Sequence, residues 1–237
     1  MHRIFTLLLT FASLACAEEK KSAASRLIPW LLDESDSLKN IPFAEVVAAT
    51  SGKQVIPVKK TDGEAQRILA AISTALDAVL AELNAPGSPA RRETRVNEMS
   101  AHFESAMQRR LNATAGFACD FPKTAAGNKQ RSGYPDLRLV DKKTGRIIYL
   151  DPKLYARGSR ASSLRTFYFT PRRETNKVND DAHHLIVGFE NEKAAGGIVF
   201  TKWELIDLSS FRVQLKAEFE GSNRDLYRDE AVVGRSK

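Results

Sequence analysis

The stretch that decides the fold begins Gly133-Tyr134-Pro135-Asp136-Leu137-Arg138-Leu139-Val140. It continues through Asp141-Lys142-Lys143-Thr144-Gly145-Arg146 into Ile147-Ile148-Tyr149-Leu150-Asp151-Pro152-Lys153-Leu154-Tyr155. Two runs of strand length enclose a polar turn with a glycine, the pattern of a β-hairpin. Side chains alternate along a strand, so Tyr134, Asp136 and Arg138 share one face, and Tyr149, Asp151, Lys153 and Tyr155 share a face of the next strand. With Lys142 to Gly145 as the loop, Asp141 stands opposite Arg146, and counting back sets Asp136 opposite Asp151. Both carboxylates then project together, with Lys153 one pleat further on. A register slip of one residue would part them onto opposite faces.

Two carboxylates at that spacing repel, and one lysine leaves the pair half compensated. The natural completion is a hard divalent cation bound through oxygen, and Mg²⁺ fits because it takes few carboxylates and keeps waters that a phosphate can replace. Mn²⁺ is the expected substitute. Such an ion polarises a phosphodiester and acidifies a bound water, while Lys153 steers the attacking water or stabilises charge growing on the phosphate.

Outward from the hairpin, the chain reads as mixed α/β. Upstream, Asp62-Gly63-Glu64 opens a helix whose apolar residues Ile68, Leu69, Ile72, Leu76, Val79, Leu80 and Leu83 recur at helical spacing, ending near Pro86. A second helix is expected from about Ala90 to Leu111 on the stripe Val96, Met99, Phe103, Met107 and Leu111. Gln54 to Val58 reads as an edge strand because of Pro57. Downstream, strands are expected at Thr166 to Thr170, His184 to Phe189, Gly197 to Thr201 and Phe211 to Phe219, with a helix over Glu174 to Ala182.

At the N-terminus, His2 and Arg3 precede the apolar run Ile4 to Leu14 and the small-residue site Ala15-Cys16-Ala17, the pattern of a secretory signal peptide. The run is too short for a membrane span, which needs ~20 apolar residues. The expected organisation is therefore a leader over residues 1–17, a mainly helical region over 18–88 whose start is a flexible lead-in, and a catalytic domain over 89–237, exported after cleavage near Ala17. Lipidation at Cys16 is the second option, since Ser13 stands where a lipoprotein signal has Leu. Cleavage removes Arg3 and no acid, lowering the formal charge from +7 to +6. That sign favours a polyanionic partner. Cys119 is then alone, excluding an internal disulfide, and reads as a small buried hydrophobe.

Pro135-Asp136, followed by Asp151-Pro152-Lys153, resembles the signature of the PD-(D/E)xK nuclease superfamily, which includes type II restriction endonucleases. The likeness covers roughly Glu93 to Phe189 in the order helix, hairpin, helix, strand. It implies an α/β fold with a restriction-endonuclease-like mixed central sheet flanked by helices, here with a helical N-terminal extension. It also implies metal binding by Asp136 and Asp151 with the carbonyl of Pro152, assistance to the nucleophile by Lys153, a DNA substrate, and as one option a homodimer. The family further supplies a Glu from the preceding helix. Among Glu93, Glu98 and Glu104, Glu104 flanks the apolar stripe beside Phe103 and comes first, with Glu98 second. Pro152 departs from the family's usual interior strand, because it lacks a backbone donor and calls for a bulge or an N–H position facing no partner.

Arg165, Arg172, Arg173 and Lys177, interleaved with Phe167, Tyr168 and Phe169, are the candidate phosphate contacts, with Arg160 and Lys129 as weaker members. His183 and His184 lack a third ligand at zinc-like spacing, and one buried and one exposed histidine is expected. No nucleophilic-serine motif or phosphate-binding glycine loop is present. The rival from another class is a non-catalytic DNA-binding module that keeps the nuclease fold.

Overall fold

The computed structural model of the chain describes residues 22–93, 96–195 and 197–234. The expected leader lies outside them. The described residues form two compact units, one of those up to Lys39 together with those from Leu215, the other Asn40–Gln214. The first holds α1 (Ala23–Asp33), whose N-cap Ser22 accepts from the Ser25 N–H at 3.1 Å, so the expected flexible lead-in gives way to helix. It also holds a short helix, Asn223–Leu226, closed by a reciprocal capping box between Ser222 and Asp225. Leu215 N–H donates to the Leu38 carbonyl at 2.8 Å.

The second unit runs β1 (Ile41–Pro42), α2 (Phe43–Ser51), α3 (Gly63–Asn84), α4 (Val96–Ala113), β2 (Phe117–Asp120), β3 (Leu137–Asp141), β4 (Ile147–Ala156), β5 (His183–Ala194), β6 (Gly197–Asp207) and β7 (Arg212–Val213). Five strands make one mixed sheet in the order β2-β3-β4-β5-β6, and β1 pairs with β7 separately. Only β4 and β5 run parallel in the five-stranded sheet. This is the restriction-endonuclease-like α/β architecture.

Helix α3 starts where its chemistry says it should. Asp62 accepts from the N–H groups of Glu64 and Ala65, each at 3.1 Å, and removing that cap would cost about 1 kcal/mol. Its stripe of Ile68, Ile72, Leu76, Val79 and Leu83 is buried with Met99, Phe103, Met107 and Leu111 of α4 against one face of the sheet. That face is built by Leu137, Leu139, Ile148, Leu150, Leu185, Val187 and Phe189. Each such side chain contributes roughly 1.5–3 kcal/mol on burial, so this layer fixes which way every strand faces. The core therefore joins elements from both sides of residue 88, where the sequence placed a boundary.

Alternation sends Asp136, Arg138, Tyr149, Asp151 and Lys153 to the opposite face. There Phe43 and Val47 of α2 build a second apolar cluster with Tyr134, Tyr149, Val178, Ala182 and Leu208. The Phe43 ring meets Tyr134 at 5.5 Å and Phe167 at 5.2 Å, both edge-on, the arrangement that the ring quadrupoles favour.

Several expectations are corrected. The segment 157–182 that carries the chain from β4 to the parallel β5 contains no helix, so the helix expected over Glu174 to Ala182 does not form. Asp180 instead takes the Arg138 guanidinium through Nε at 2.7 Å and Nη2 at 3.0 Å, and accepts from the Tyr149 hydroxyl at 2.7 Å. Those tertiary bonds hold the segment extended. Thr166 to Thr170 is not a strand, because Phe167 and Phe169 cap the second cluster without a hydrogen-bonded neighbour. Gln54 to Val58 reduces to one bridge, Val55 with Ala182, and Phe211 to Phe219 to the two residues of β7. Strand β2, four residues between Gly116 and Pro122, has no counterpart among the expected strands.

Candidate active site

The hairpin forms in the expected register. Leu137 pairs with Leu150 and Arg138 with Tyr149, and Asp136 stands one residue before the end of that ladder, Asp151 one residue beyond it. The turn is pinned from within and from outside. Asp141 accepts from the Thr144 N–H at 3.2 Å and its hydroxyl at 2.5 Å, and Gly145 takes the left-handed conformation (φ 73°) that closes the loop. Arg67 of α3 reaches Asp141 at 2.6 Å, and Arg146 reaches the N-cap Asp62 at 2.7 Å. A register slip would break all of these contacts together.

Asp151 is 1% exposed, in the strand flanked by β5, with Ile186 as its partner there. Its Oδ2 is ion-paired with the ammonium of Lys153. Burial, with the negative charge of Asp151 second, pushes the pKa of Asp136 up to about 8. At neutral pH the pair therefore retains a proton. Lys153 is 30% exposed and borders an open cleft of about 410 Å³ walled by Tyr155, Phe167, Ile186 and Ile206, so its amine is within reach of solvent.

Glu104 of α4 also comes to the site. Its side chain is 12% exposed, its charge acts on Asp136, and Arg131 holds it at 2.7 Å. Glu98 stands in the first turn of α4 and is exposed. Of the two sequence candidates, the structure brings Glu104 to the acids.

Pro152 is buried within β4, paired with Val187 of β5. Pairing with β3 ends at Leu150, so beyond that residue β4 has a side with no β3 ladder to supply. That is the setting a proline inside a sheet requires.

The four basic candidates separate. Arg165, Arg172 and Arg173 are exposed, and Arg165 lies over the Tyr168 ring at 4.5 Å. Lys177 is 1% exposed and stands away from them, donating to the Arg131 carbonyl at 3.3 Å. Burial lowers its pKa, and the charges of Asp136, Asp151 and Glu104 oppose that fall. The expected surface phosphate contact at Lys177 is therefore corrected; nothing local to Asn176-Lys177-Val178 signals a lysine that points inward. Arg160 is tied to Glu204 at 3.3 Å.

Both histidines are buried, against the expectation of one at the surface. His183 Nδ1 contacts the Ile56 carbonyl at 2.9 Å, and His184 Nδ1 contacts the Tyr134 hydroxyl at 2.7 Å. Burial, with His183 second, pushes His184 down to about 4, so it is neutral and floors the site beneath Tyr134. Cys119 is fully buried and its thiol is pushed up to about 12 by burial, an inert position. The Asn112 side chain bonds both backbone groups of Cys119, at 2.6 and 2.9 Å.

No group of three or more His, Cys, Asp or Glu among the described residues is gathered closely enough to enclose an ion. The donors at hand are two carboxylates, the buried Asp151 and the half-buried Asp136, beside a single lysine. They fit a cation that takes few protein ligands and leaves room for water and phosphate.

The model of the Type II restriction enzyme MjaV family matches residues 36–230. Type II restriction enzyme MjaV of Methanocaldococcus jannaschii is 31% identical over 206 residues, spanning 83% of this chain and 89% of that relative. The matched region contains the whole five-stranded sheet and every acid and lysine described above. By this match and by its fold, the chain belongs to the type II restriction enzyme MjaV family and is a restriction-endonuclease-like nuclease.

Proposed function

We propose that the chain is a DNA endonuclease that hydrolyses phosphodiester bonds with the help of a divalent cation, Mg²⁺ or in its place Mn²⁺. The observation that carries this reading is the Lys153 amine paired with the buried Asp151 at the end of the strand ladder that Asp136 precedes. Asp136, Asp151 and the carbonyl of Pro152 would hold the ion. When bound, it supplies Lewis acidity toward the phosphate and toward a water. To serve as a ligand Asp136 would have to be deprotonated, and Lys153, whose ammonium sits on Asp151, is placed to steer the attacking water and steady charge on the phosphoryl oxygens. Water oxygen bonds to phosphorus as the bond to the leaving sugar oxygen breaks, giving a phosphate monoester and a hydroxyl. Glu104 orients the acid cluster from α4. Arg165, Arg172 and Arg173 neutralise backbone phosphates beside the cut.

The signal-like residues 1–17 support action outside the cytoplasm. No helix among the described residues is long and apolar enough to cross a membrane. N-terminal sequencing of the mature protein tests the export reading, with cleavage after Ala17 expected and an unprocessed Met1 against it.

The decisive test incubates purified protein with plasmid and linear DNA, with and without Mg²⁺ or Mn²⁺, beside Asp151→Ala and Lys153→Ala. Cation-dependent cutting by the wild type, absent from both variants, is expected. A wild type that binds DNA yet cuts with neither cation would establish the non-catalytic DNA-binding module instead.

A further inference from the structure

Lys177 is a buried lysine that the catalytic pattern does not include. Its segment is clamped on both sides. Ala125 N–H donates to the Asn176 carbonyl at 2.8 Å, the Asn176 side chain accepts from the Val178 N–H at 2.9 Å, and Asn179 N–H donates to the Tyr149 hydroxyl at 2.9 Å. Asp180 locks the same stretch to Arg138. The ammonium is thus held in place, by contrast with Lys153, which is 30% exposed and can meet a substrate. A side chain 1% exposed cannot reach DNA from where it stands. Its ammonium donates instead to the carbonyl of Arg131, the residue that holds Glu104, and the charges of Asp136, Asp151 and Glu104 act on it without any of them closing as an ion pair among the described residues.

Arg131 completes the pattern. Its guanidinium holds Glu104, and its carbonyl holds Lys177. With the carboxylates ionised, three acids (Asp136, Asp151, Glu104) face three basic groups (Lys153, Lys177, Arg131). One divalent ion then adds two positive charges to a cluster that is balanced without it. A second ion would double that excess beside the buried Asp151 and Lys177, a costlier state.

Resting on the metal-dependent reading above, we propose that Lys177 supplies the positive charge a second metal ion would otherwise bring, so that the site loads a single divalent cation. Lys177 is a positioning residue. It acts through the carboxylates and touches no substrate.

The test is Mn²⁺ uptake by the full, chelator-treated protein, read by equilibrium dialysis and electron paramagnetic resonance with Mn²⁺ alone as the probe. One Mn²⁺ per chain is expected for the wild type. Lys177→Met keeps the stem and removes the charge, so it should take up a second Mn²⁺ or bind the first on the order of tenfold more tightly. Both results are readable without any cleavage assay. Two Mn²⁺ in the wild type would overturn the proposal, and that measurement stands even if Lys177→Met does not fold. One Mn²⁺ in both proteins at equal affinity would also overturn it, leaving the catalytic reading intact. No uptake by a folded wild type would remove the metal-dependent reading and this inference together.

Discussion

Asp136→Asn should stabilise the metal-free protein and abolish cutting. Asp136 retains its proton in the folded chain up to about pH 8, whereas an unfolded aspartate loses it near the ordinary value of 3.8. Between those limits the folded state binds more protons than the unfolded one, so wild-type stability falls as pH rises, and below or above them it levels off. At about 1.4 kcal/mol per pH unit, the interval from pH 5 to pH 8 bounds the effect at roughly 4 kcal/mol. Partial exposure and the nearby Lys153 weaken the repulsion, so about 2 kcal/mol is the expected gain, or roughly 4–8 °C in Tm for a chain of this size. Calorimetry in chelator at pH 5 and pH 8 measures it. The variant should nearly match the wild type at pH 5 and melt well above it at pH 8. Added Mg²⁺ should raise the wild type but not the variant, since the cation takes the deprotonated carboxylate. A stability difference that does not grow from pH 5 to pH 8, or a variant that melts lower at pH 8, would refute the reasoning.

Lys153→Ala should lower the single-turnover cleavage rate by about 10²-fold or more while DNA affinity, measured by fluorescence anisotropy in Ca²⁺, changes only a few-fold. Replacing Arg165, Arg172 and Arg173 together by Ala should weaken DNA binding across sequences. It should also flatten the dependence of log K on log salt by nearly one for each phosphate no longer neutralised, read from anisotropy titrations at several salt concentrations. Phe43→Ala should cost about 3–5 kcal/mol in urea unfolding, because Phe43 is fully buried and meets the rings of Tyr134, Phe167, Phe169 and Phe211.

The hairpin could be read from the sequence because its turn chemistry and its strand parity agree. Lys142 to Gly145 fixes the loop, and one count back from Asp141 and Arg146 brings Asp136 to Asp151. Helices α3 and α4 were equally legible, since Asp62 marks a start and the apolar residues recur at one period. The crossover was not. Val178 and Ala182 lie at helical spacing, but Asn179, Asp180 and Asp181 prefer local bonds to helix, and Arg138 and Tyr149 claim Asp180 from across the sheet. Lys177 was legible as a charge and not as a buried one, because lysine is almost never found inside unless acids await it. Those acids lie on strands and a helix far away in sequence. Glu104 was narrowed to first place by helical phase alone; its tie to Arg131 belongs to a loop that periodicity does not describe.

The irregular link between the two parallel strands divides sharply in its freedom to change. From Gly158 to about Leu164 no helical period or ladder must be preserved, so residues can be inserted, deleted or exchanged there, whereas Phe167 and Phe169 further on are held against Phe43 and Tyr134. From Asn176 to Ala182 the backbone and side chains are bonded to three other parts of the molecule, and a single insertion would drag the interior lysine out of alignment. Homologous chains should therefore vary more between Gly158 and Leu164 than between Asn176 and Ala182.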